Sequence, residues 1–408
     1  MEQTIPKKHT GRKVLLGILI ALLALILAAG IAIFGLWHNE LSTLFSLHQV
    51  RERNDAHLDG AVYTMEVKGG FYLEDFVAQG GVSSDSELIQ FITGHITKGL
   101  LDMGMSSPEI GCASFTATAA NGDRLFARNY DFAKTNTCIV FTEASEGRHA
   151  TISTADLQFL GIDADTGIQG LMDKITCLAA PYVPLDGIND AGVSCGIYMS
   201  YQGEDTVSTN QNTGKPDITS TTLLRLILDY ADNVDEAVEI ARSYDLHDSA
   251  NTSFHYMVAD ASGRSVILEW VAGTDSTDND GSARELVVIY NDTDSDVGSL
   301  EAASDFQWVT NFIVAPGYYD GCQESQRKGF DRYERIGQEL SAVNGIVENE
   351  DAAMEILQIV GSRTWNNDDG NGCTVHSAVY NLTQRSMVWV SNENFDDPTA
   401  IFTFSLNN

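Results

Sequence analysis

Basic side chains are scarce in this chain: 24 Lys and Arg stand against 57 Asp and Glu, for a formal net charge of -33. That balance repels phosphate and leaves no basic stripe for a groove, so nucleic acid is excluded as a partner and the charge reads as a solvated surface. Cysteine is sparse too. Six in 408 residues are too few for a disulfide scaffold, and none is spaced as a CxxC pair, so no structural metal is expected. Internal repeats are missing. What the chain does have is 43% hydrophobic and 9% aromatic content, enough to bury a full core in one large domain or two small ones.

The first clear feature is at the start. Lys7, Lys8, Arg12 and Lys13 precede an apolar run from Val14 to Trp37 that holds no charge and is long enough to cross about 30 Å of hydrocarbon as a helix. Positive charge lies only on the amino side, which predicts a cytoplasmic N-terminus and export of everything after His38. Residues 1–38 are therefore expected to be the cytoplasmic N-terminus and a single-pass membrane anchor, with the rest of the chain outside. Secretion after signal cleavage is the alternative. A signal peptide's apolar region is shorter, about 7 to 15 residues, but Ala28, Ala29, Gly30 and Ala32 supply the small residues such a cleavage needs.

After a polar stretch to about residue 60, Ala61 to Tyr72 reads as extended, broken at Gly69-Gly70. Ser84 with Glu87 has capping-box spacing, and Leu88, Ile92, Ile96 and Leu100 follow as the stripe of an amphipathic helix that must dock on the next domain. From Cys112 the pattern changes to short strands, at Cys138–Glu143, Gly192–Ser200, Phe254–Ala259, Arg264–Trp270 and Glu285–Tyr290. Helices are expected at Thr221–Tyr230, at Val234–Tyr244 with Asn233 as N-cap, at Asp331–Leu340 and at Asp351–Val360. Such alternation suggests sheets inside and helices outside. The stretches Gly203–Pro216 and Gly273–Gly281 read as surface loops.

Gly111-Cys112-Ala-Ser-Phe leads through Asn121-Gly122 to Ala127-Arg128-Asn129-Tyr130-Asp131-Phe132, a hairpin by rule because Asn-Gly favours a two-residue turn. With that turn, Asp131 faces Cys112, and Arg128 reaches the same face only through a bulge near Asn129 to Asp131. The chemistry makes sense if Cys112 becomes a chain end. A free α-amine has a pKa of about 7.7 and a thiol of about 8.5, so the amine can act as base for the thiol near neutral pH. A carboxylate at Asp131 would orient that amine, and a guanidinium at Arg128 would favour the thiolate. By itself, a Gly-Cys in a hairpin is ordinary core.

The surrounding motifs decide otherwise. Gly-Cys-Ala-Ser-Phe, the Asn-Gly-Asp turn and Ala-Arg-Asn-Tyr-Asp-Phe resemble the nucleophile hairpin of the choloylglycine hydrolase and penicillin V acylase family. Similarity continues through Asn189 to Tyr198, Phe254 to Gly263, Val309-Thr-Asn311-Phe and Asp331-Arg332-Tyr333, over most of residues 112–408. The resemblance implies an α+β, four-layer αββα N-terminal-nucleophile fold that hydrolyses small N-acyl amides and uses no cofactor. It also implies roles: Cys112 as nucleophile, Arg128 and Asp131 as its hairpin partners, and Asn311 as an oxyanion donor. Tyr198 is the second donor, at a place where relatives carry Asn or Tyr; a one-residue gap would move the role to Met199, and backbone amides also serve. Arg332 resembles a family arginine near the site, though an Arg at a helix start also reads as a surface ion-pair former.

Many relatives expose the cysteine by losing an initiator methionine, whereas 111 residues precede it here. Relatives such as the acid ceramidases and N-acylethanolamine amidases carry a pro-segment and cleave themselves. The expectation is a pro-segment over 39–111, a catalytic domain over 112–408, attack of Cys112 on the Gly111 carbonyl, and retention of the pro-segment as a second chain. The other cysteines, Cys138, Cys177, Cys195, Cys322 and Cys373, leave pairing open, with Cys195 read as buried packing. His255 and His376 also read as strand packing, and Glu269, at a strand end, is a candidate for structuring a nearby loop. Two alternatives stand beside the amidohydrolase: a papain-like thiol protease pairing Cys112 with His255 or His376, and an exported binding ectodomain without activity.

Overall fold

The computed structural model describes residues 9–99, 111–202, 207–272, 281–292, 305–318, 326–366 and 373–406. Leu100, Cys322, residues 203–206 and residues 273–280, all part of the expectations above, lie outside them. The chain opens on α1 (His9–Ser46), which leaves helical geometry at Trp37. Among the described residues its stretch Lys13–Ile31, with mean hydropathy 3.1, is the one helix long and apolar enough to cross a membrane, and none of it is buried. Past Trp37 the helix joins the body. The Trp37 indole donates to Ile96 O at 2.9 Å, and Thr43 is buried.

Next come β1 (His48–Arg51), β2 (Val62–Val67), α2 (Leu73–Ala78) and α3 (Asp85–Ile96). Ser84 caps α3 by accepting the Glu87 N–H, while the Glu87 carboxylate turns to Ser83 and leaves the reciprocal half of the box unmade. Leu88, Ile92 and Ile96 are buried, each at roughly 1.5–3 kcal/mol. The hairpin β3 (Gly111–Ala119) and β4 (Arg124–Phe132) leads to β5 (Thr137–Thr142), β6 (Thr151–Asp156), α4 (Leu171–Cys177), β7 (Pro184–Asn189) and β8 (Ser194–Met199). β9 (Asp217–Thr219), α5 (Ser220–Tyr230), α6 (Val234–Arg242), β10 (Asp245–His247), β11 (Phe254–Ala259), β12 (Ser265–Ala272), β13 (Arg284–Tyr290) and β14 (Trp308–Val309) follow. The C-terminal part holds α7 (Phe330–Ala342), β15 (Ile346–Val347), α8 (Glu350–Ile359), α9 (Ser362–Asn366), β16 (Cys373–Asn381), β17 (Ser386–Ser391) and β18 (Ile401–Ser405).

Two large sheets result. One runs β1-β2-β5-β6-β7-β8-β11-β12-β13, the other β14-β3-β4-β16-β17-β18 with β15 also on β3. Helices α5 and α6 lie on the first, α7 and α8 on the second, and the sheets meet through β3 and β8, giving layers of helix, sheet, sheet and helix in a mixed α+β fold. The segment before Cys112 is no separate body. β2 pairs in parallel with β5 from Val62↔Thr137 to Val67↔Thr142, and its Met65 shares one buried core with Ile139, Ile188 and Cys112.

The β3–β4 register differs from the expected one by a residue. Ala119 N–H bonds Asp123 O and Gly122 N–H bonds Ala119 O, both at 2.8 Å, so the loop is three residues, Ala120-Asn121-Gly122, with Gly122 at φ 93. A three-residue loop closed by a left-handed glycine is the usual competitor of the two-residue Asn-Gly turn. It puts Cys112 opposite Tyr130, Ser114 opposite Arg128, and Asp131 opposite Gly111 rather than Cys112. Arg128 therefore shares the Cys112 face with no bulge in β4. The irregularity sits on the neighbouring β16, between Thr374 and His376.

Candidate active site

Cys112 is fully buried near the start of β3, its Sγ 3.3 Å from Arg128 Nη2 and 3.8 Å from Ile197 O. Burial pushes the thiol up to about 11, against the opposing pull of the Arg128 charge. Arg128 is itself wholly inside. Its Nη2 also donates to Ile197 O at 2.7 Å, its Nη1 to Leu185 O, and its Nε lies 3.2 Å from Asp186 Oδ2, near enough for an ion pair though off line for a hydrogen bond. The guanidinium covers the Tyr198 ring at 4.7 Å. Residue 196 has to be glycine for this, because a Cβ there would fall 2.6 Å from Arg128 Nη1.

Asp186 is the buried counter-charge. It accepts from His376 Nε2 at 2.8 Å and from the Tyr380 hydroxyl. Burial would raise its pKa, but His376 and Arg128 hold it down at about 2. The same partners, Cys112 and Asp186, raise the Arg128 pKa despite its burial. Sequence reasoning missed this network. Its one signal was an acid inside the otherwise apolar strand Pro184-Leu-Asp-Gly-Ile, where an ionised side chain needs a partner.

Asp131 lies at the other side of the strand end. Thr374 Oγ1 donates to its Oδ1 at 2.6 Å and Arg332 Nη1 to its Oδ2. A side chain at residue 111 would meet Asp131 Cβ at 3.3 Å and Oδ2 at 3.5 Å, so glycine fits that wall where others crowd it. Asn311 closes the third side. Its Oδ1 accepts the Cys112 N–H at 2.9 Å and its Nδ2 donates to Met199 O at 3.0 Å. Thus Cys112, Arg128 and Asn311 are in direct contact, and Asp131 with Arg332 flanks Gly111. Tyr198 joins through its ring on Arg128, but its hydroxyl donates to Ser114 Oγ at 2.6 Å, and Met199 contributes its carbonyl to Asn311.

The two histidines bond elsewhere. His255 bridges Glu269 Oε1 at 2.8 Å and Thr310 O at 2.9 Å, and His376 binds Asp186. Glu269 is not at a strand end but inside β12, with none of its side chain exposed. All five described cysteines are free and buried. Among the described residues no group of three or more His, Cys, Asp or Glu could hold a metal. The site thus holds a buried thiol beside a fixed guanidinium, with an amide oxygen on its own backbone N–H.

Residues 112–276 match the family model described as linear amide C-N hydrolases, choloylglycine hydrolase family. The chain carries a choloylglycine hydrolase family domain. It is accordingly a hydrolase acting on C–N bonds of linear amides. Solved structures similar to the chain include a mutant of the conjugated bile acid hydrolase from Clostridium perfringens, at 16% identity and TM-score 0.45, covering 72% of this chain and 92% of that one. Penicillin V acylase from Agrobacterium tumefaciens follows at 15% identity and TM-score 0.45, covering 73% and 87%. The Caenorhabditis elegans ortholog of N-acylethanolamine-hydrolyzing acid amidase matches at 15% and TM-score 0.36, covering 67% and 93%. No curated protein matches the chain by sequence. The family match begins at Cys112 itself, the residue around which the site is built.

Proposed function

We propose that this choloylglycine hydrolase domain works as a cysteine N-terminal-nucleophile amidohydrolase that cuts itself between Gly111 and Cys112. The observation that carries the proposal is the Cys112 Sγ at 3.3 Å from Arg128 Nη2 while the Cys112 N–H rests on Asn311. In maturation the thiol adds to the Gly111 carbonyl carbon, the C–N bond breaks, and the Cys112 nitrogen leaves as an amine carrying the thiol's proton. Water then hydrolyses the Gly111 thioester, freeing a carboxylate and the thiol.

In turnover the new amine takes the thiol proton and the thiolate attacks the substrate carbonyl. The amine's proton passes to the departing amine of the substrate, and water attacks the remaining thioester. Arg128 favours the thiolate, and Asp131, held by Arg332, orients the amine. Asn311 Nδ2, released from Met199 O, donates to the oxyanion, with Tyr198 or a backbone amide as second donor. Cutting also helps the thiol ionise, because the amine, once it has taken the thiol's proton, sets a positive charge beside the thiolate of a group that burial otherwise holds at about 11.

The substrates are small N-acyl amides. A panel of a bile-acid conjugate, penicillin V and a fatty N-acyl amide, scored by amine release, ranks them. Edman sequencing of the purified protein should begin at Cys112, and Cys112→Ala should leave one uncut, inactive chain. A Cys112→Ala protein that still appears as two fragments at this junction would sink the self-cleavage mechanism. Residues 14–37 serve as the anchor, and the segment before the cut stays bound, supported by the β2–β5 ladder and by the buried side chains of α3. High-salt washing of membranes should therefore leave the Cys112 chain behind, since salt screens charge but not apolar contact. Its release in the wash would show the segment to be only a transient guard.

A further inference from the structure

Glu269 sits in β12 between Leu268 and Trp270, wholly buried, where an apolar residue would pack without the cost of burying a charge. Its oxygens are fully used. Oε1 accepts the Val314 N–H at 2.9 Å and faces His255 Nδ1 at 2.8 Å, and Oε2 accepts the Ala315 N–H at 2.9 Å. The other ring nitrogen of His255 donates to Thr310 O at 2.9 Å, since a carbonyl can only accept. One buried pair thus grips the chain at residue 310 and again at 314 and 315, on both sides of Asn311.

The grip matters because the ladder ends there. β14 pairs with β3 only at Trp308↔Phe115 and Val309↔Ser114, so the chain leaves the seven-stranded sheet just as it draws level with Cys112. From Thr310 onward the opposite sheet holds it, by Glu269 and His255 and by the Tyr201 N–H on Asn311 O at 2.9 Å.

We infer that Glu269, acting partly through His255, is a positioning residue that sets Asn311 against Cys112 for the hydrolytic reaction. This rests on Asn311 being the oxyanion donor proposed above. Loosening such a donor by a fraction of an ångström weakens it more in the transition state than in the ground state.

The test is a double-mutant cycle on the anchored full chain, using the best amide of the panel and following amine release. Glu269→Gln keeps the shape but turns an amide donor toward one of the backbone N–H groups or toward His255. It is expected to lower kcat by about tenfold to a hundredfold with KM within about twofold. In an Asn311→Ala background the same change should cost less than about twofold, because the group it positions is gone. A merely structural glutamate would cost the same factor in both backgrounds, and that additivity, or an unchanged kcat in Glu269→Gln, overturns the clamp. Where Glu269→Gln fails to fold, His255→Gln, whose amide can still donate to Thr310 O, must show the same dependence on Asn311; additivity there overturns the inference as well. An Asn311→Ala enzyme with unchanged kcat overturns the donor role first and the clamp with it, whereas additive effects on an impaired Asn311→Ala overturn the clamp alone.

Discussion

Two arginines come to the start of β3 and are built in by opposite means. Arg128 donates to Leu185 O, Ile197 O and the thiol and sets its Nε 3.2 Å from Asp186 as an ion pair, with none of its side chain exposed. Arg332 gives one nitrogen to Asp131, and its Nε and Nη2 have no hydrogen-bond partner among the described residues, with 12% of its side chain exposed. The first is a fixed charge whose place is settled by folding. The second is a tether on a carboxylate, with capacity to spare. Arg128 touches the thiol itself, whereas Arg332 reaches the Gly111–Cys112 junction only through Asp131.

The sharpest way to break it is to unpair the fixed side. Asp186→Asn leaves the Arg128 charge without its counter-ion, and breaking a buried pair of this kind costs about 3 to 5 kcal/mol. Part of that cost depends on pH. The Asp186 pKa is depressed from 3.8 to about 2 in the folded state, so its contribution is present above about 4 and is lost as pH falls through 2, worth about 2 kcal/mol over that window. Urea midpoints of wild type and Asp186→Asn should therefore converge below pH 4. A constant gap down to pH 2.5 would assign the loss to shape rather than to charge.

Next in size is the donor proposed at Cys112. Asn311→Ala should lower kcat by about 10²- to 10³-fold, the usual loss for one oxyanion donor, while the protein still cuts itself, if more slowly. Single-turnover assays beside a gel of the processed chains separate the two effects. An ordinary kcat in a folded Asn311→Ala protein removes the residue from the reaction.

Local signals in the sequence carried well. Ser84 and Asn233 cap the helices they were expected to cap, and strands such as Phe254–Ala259 fall where alternation placed them, because caps and periodicity act within a few residues. Site residues quoted on motif spacing, Cys112, Arg128 and Asn311, also come together. The hairpin register did not carry, since Asn-Gly is compatible with a two-residue or a three-residue loop, and one residue of difference exchanged Tyr130 for Asp131 opposite Cys112. Least legible were the long-range partners. Asp186 meets His376 across 190 positions, and β2 joins β5 across the Gly111–Cys112 junction, pairings that only the closed sheets bring about.

The smallest effect belongs to the tether. Arg332→Gln keeps one amide donor for Asp131 and removes a charge that already borders solvent, so unlike the change at Asp186 it should leave the melting temperature nearly unmoved. Its Nη1 fixes Asp131 Oδ2 while Thr374 fixes Oδ1 at 2.6 Å, so losing one of two restraints should loosen the carboxylate without freeing it. A charge-assisted hydrogen bond of this kind is worth about 1.5 to 3 kcal/mol when intact, and retaining a neutral donor recovers part of it. The expected result is a kcat about tenfold lower with KM within twofold, and slower self-cleavage by a similar factor, because the same carboxylate faces the Gly111–Cys112 junction in both reactions. Stopped assays of amine release give the first pair of numbers, and the time course of the uncut chain gives the third. If instead KM rises while kcat and processing hold, the spare nitrogens of Arg332 grip the substrate, and Asp131 owes its place to Thr374 alone.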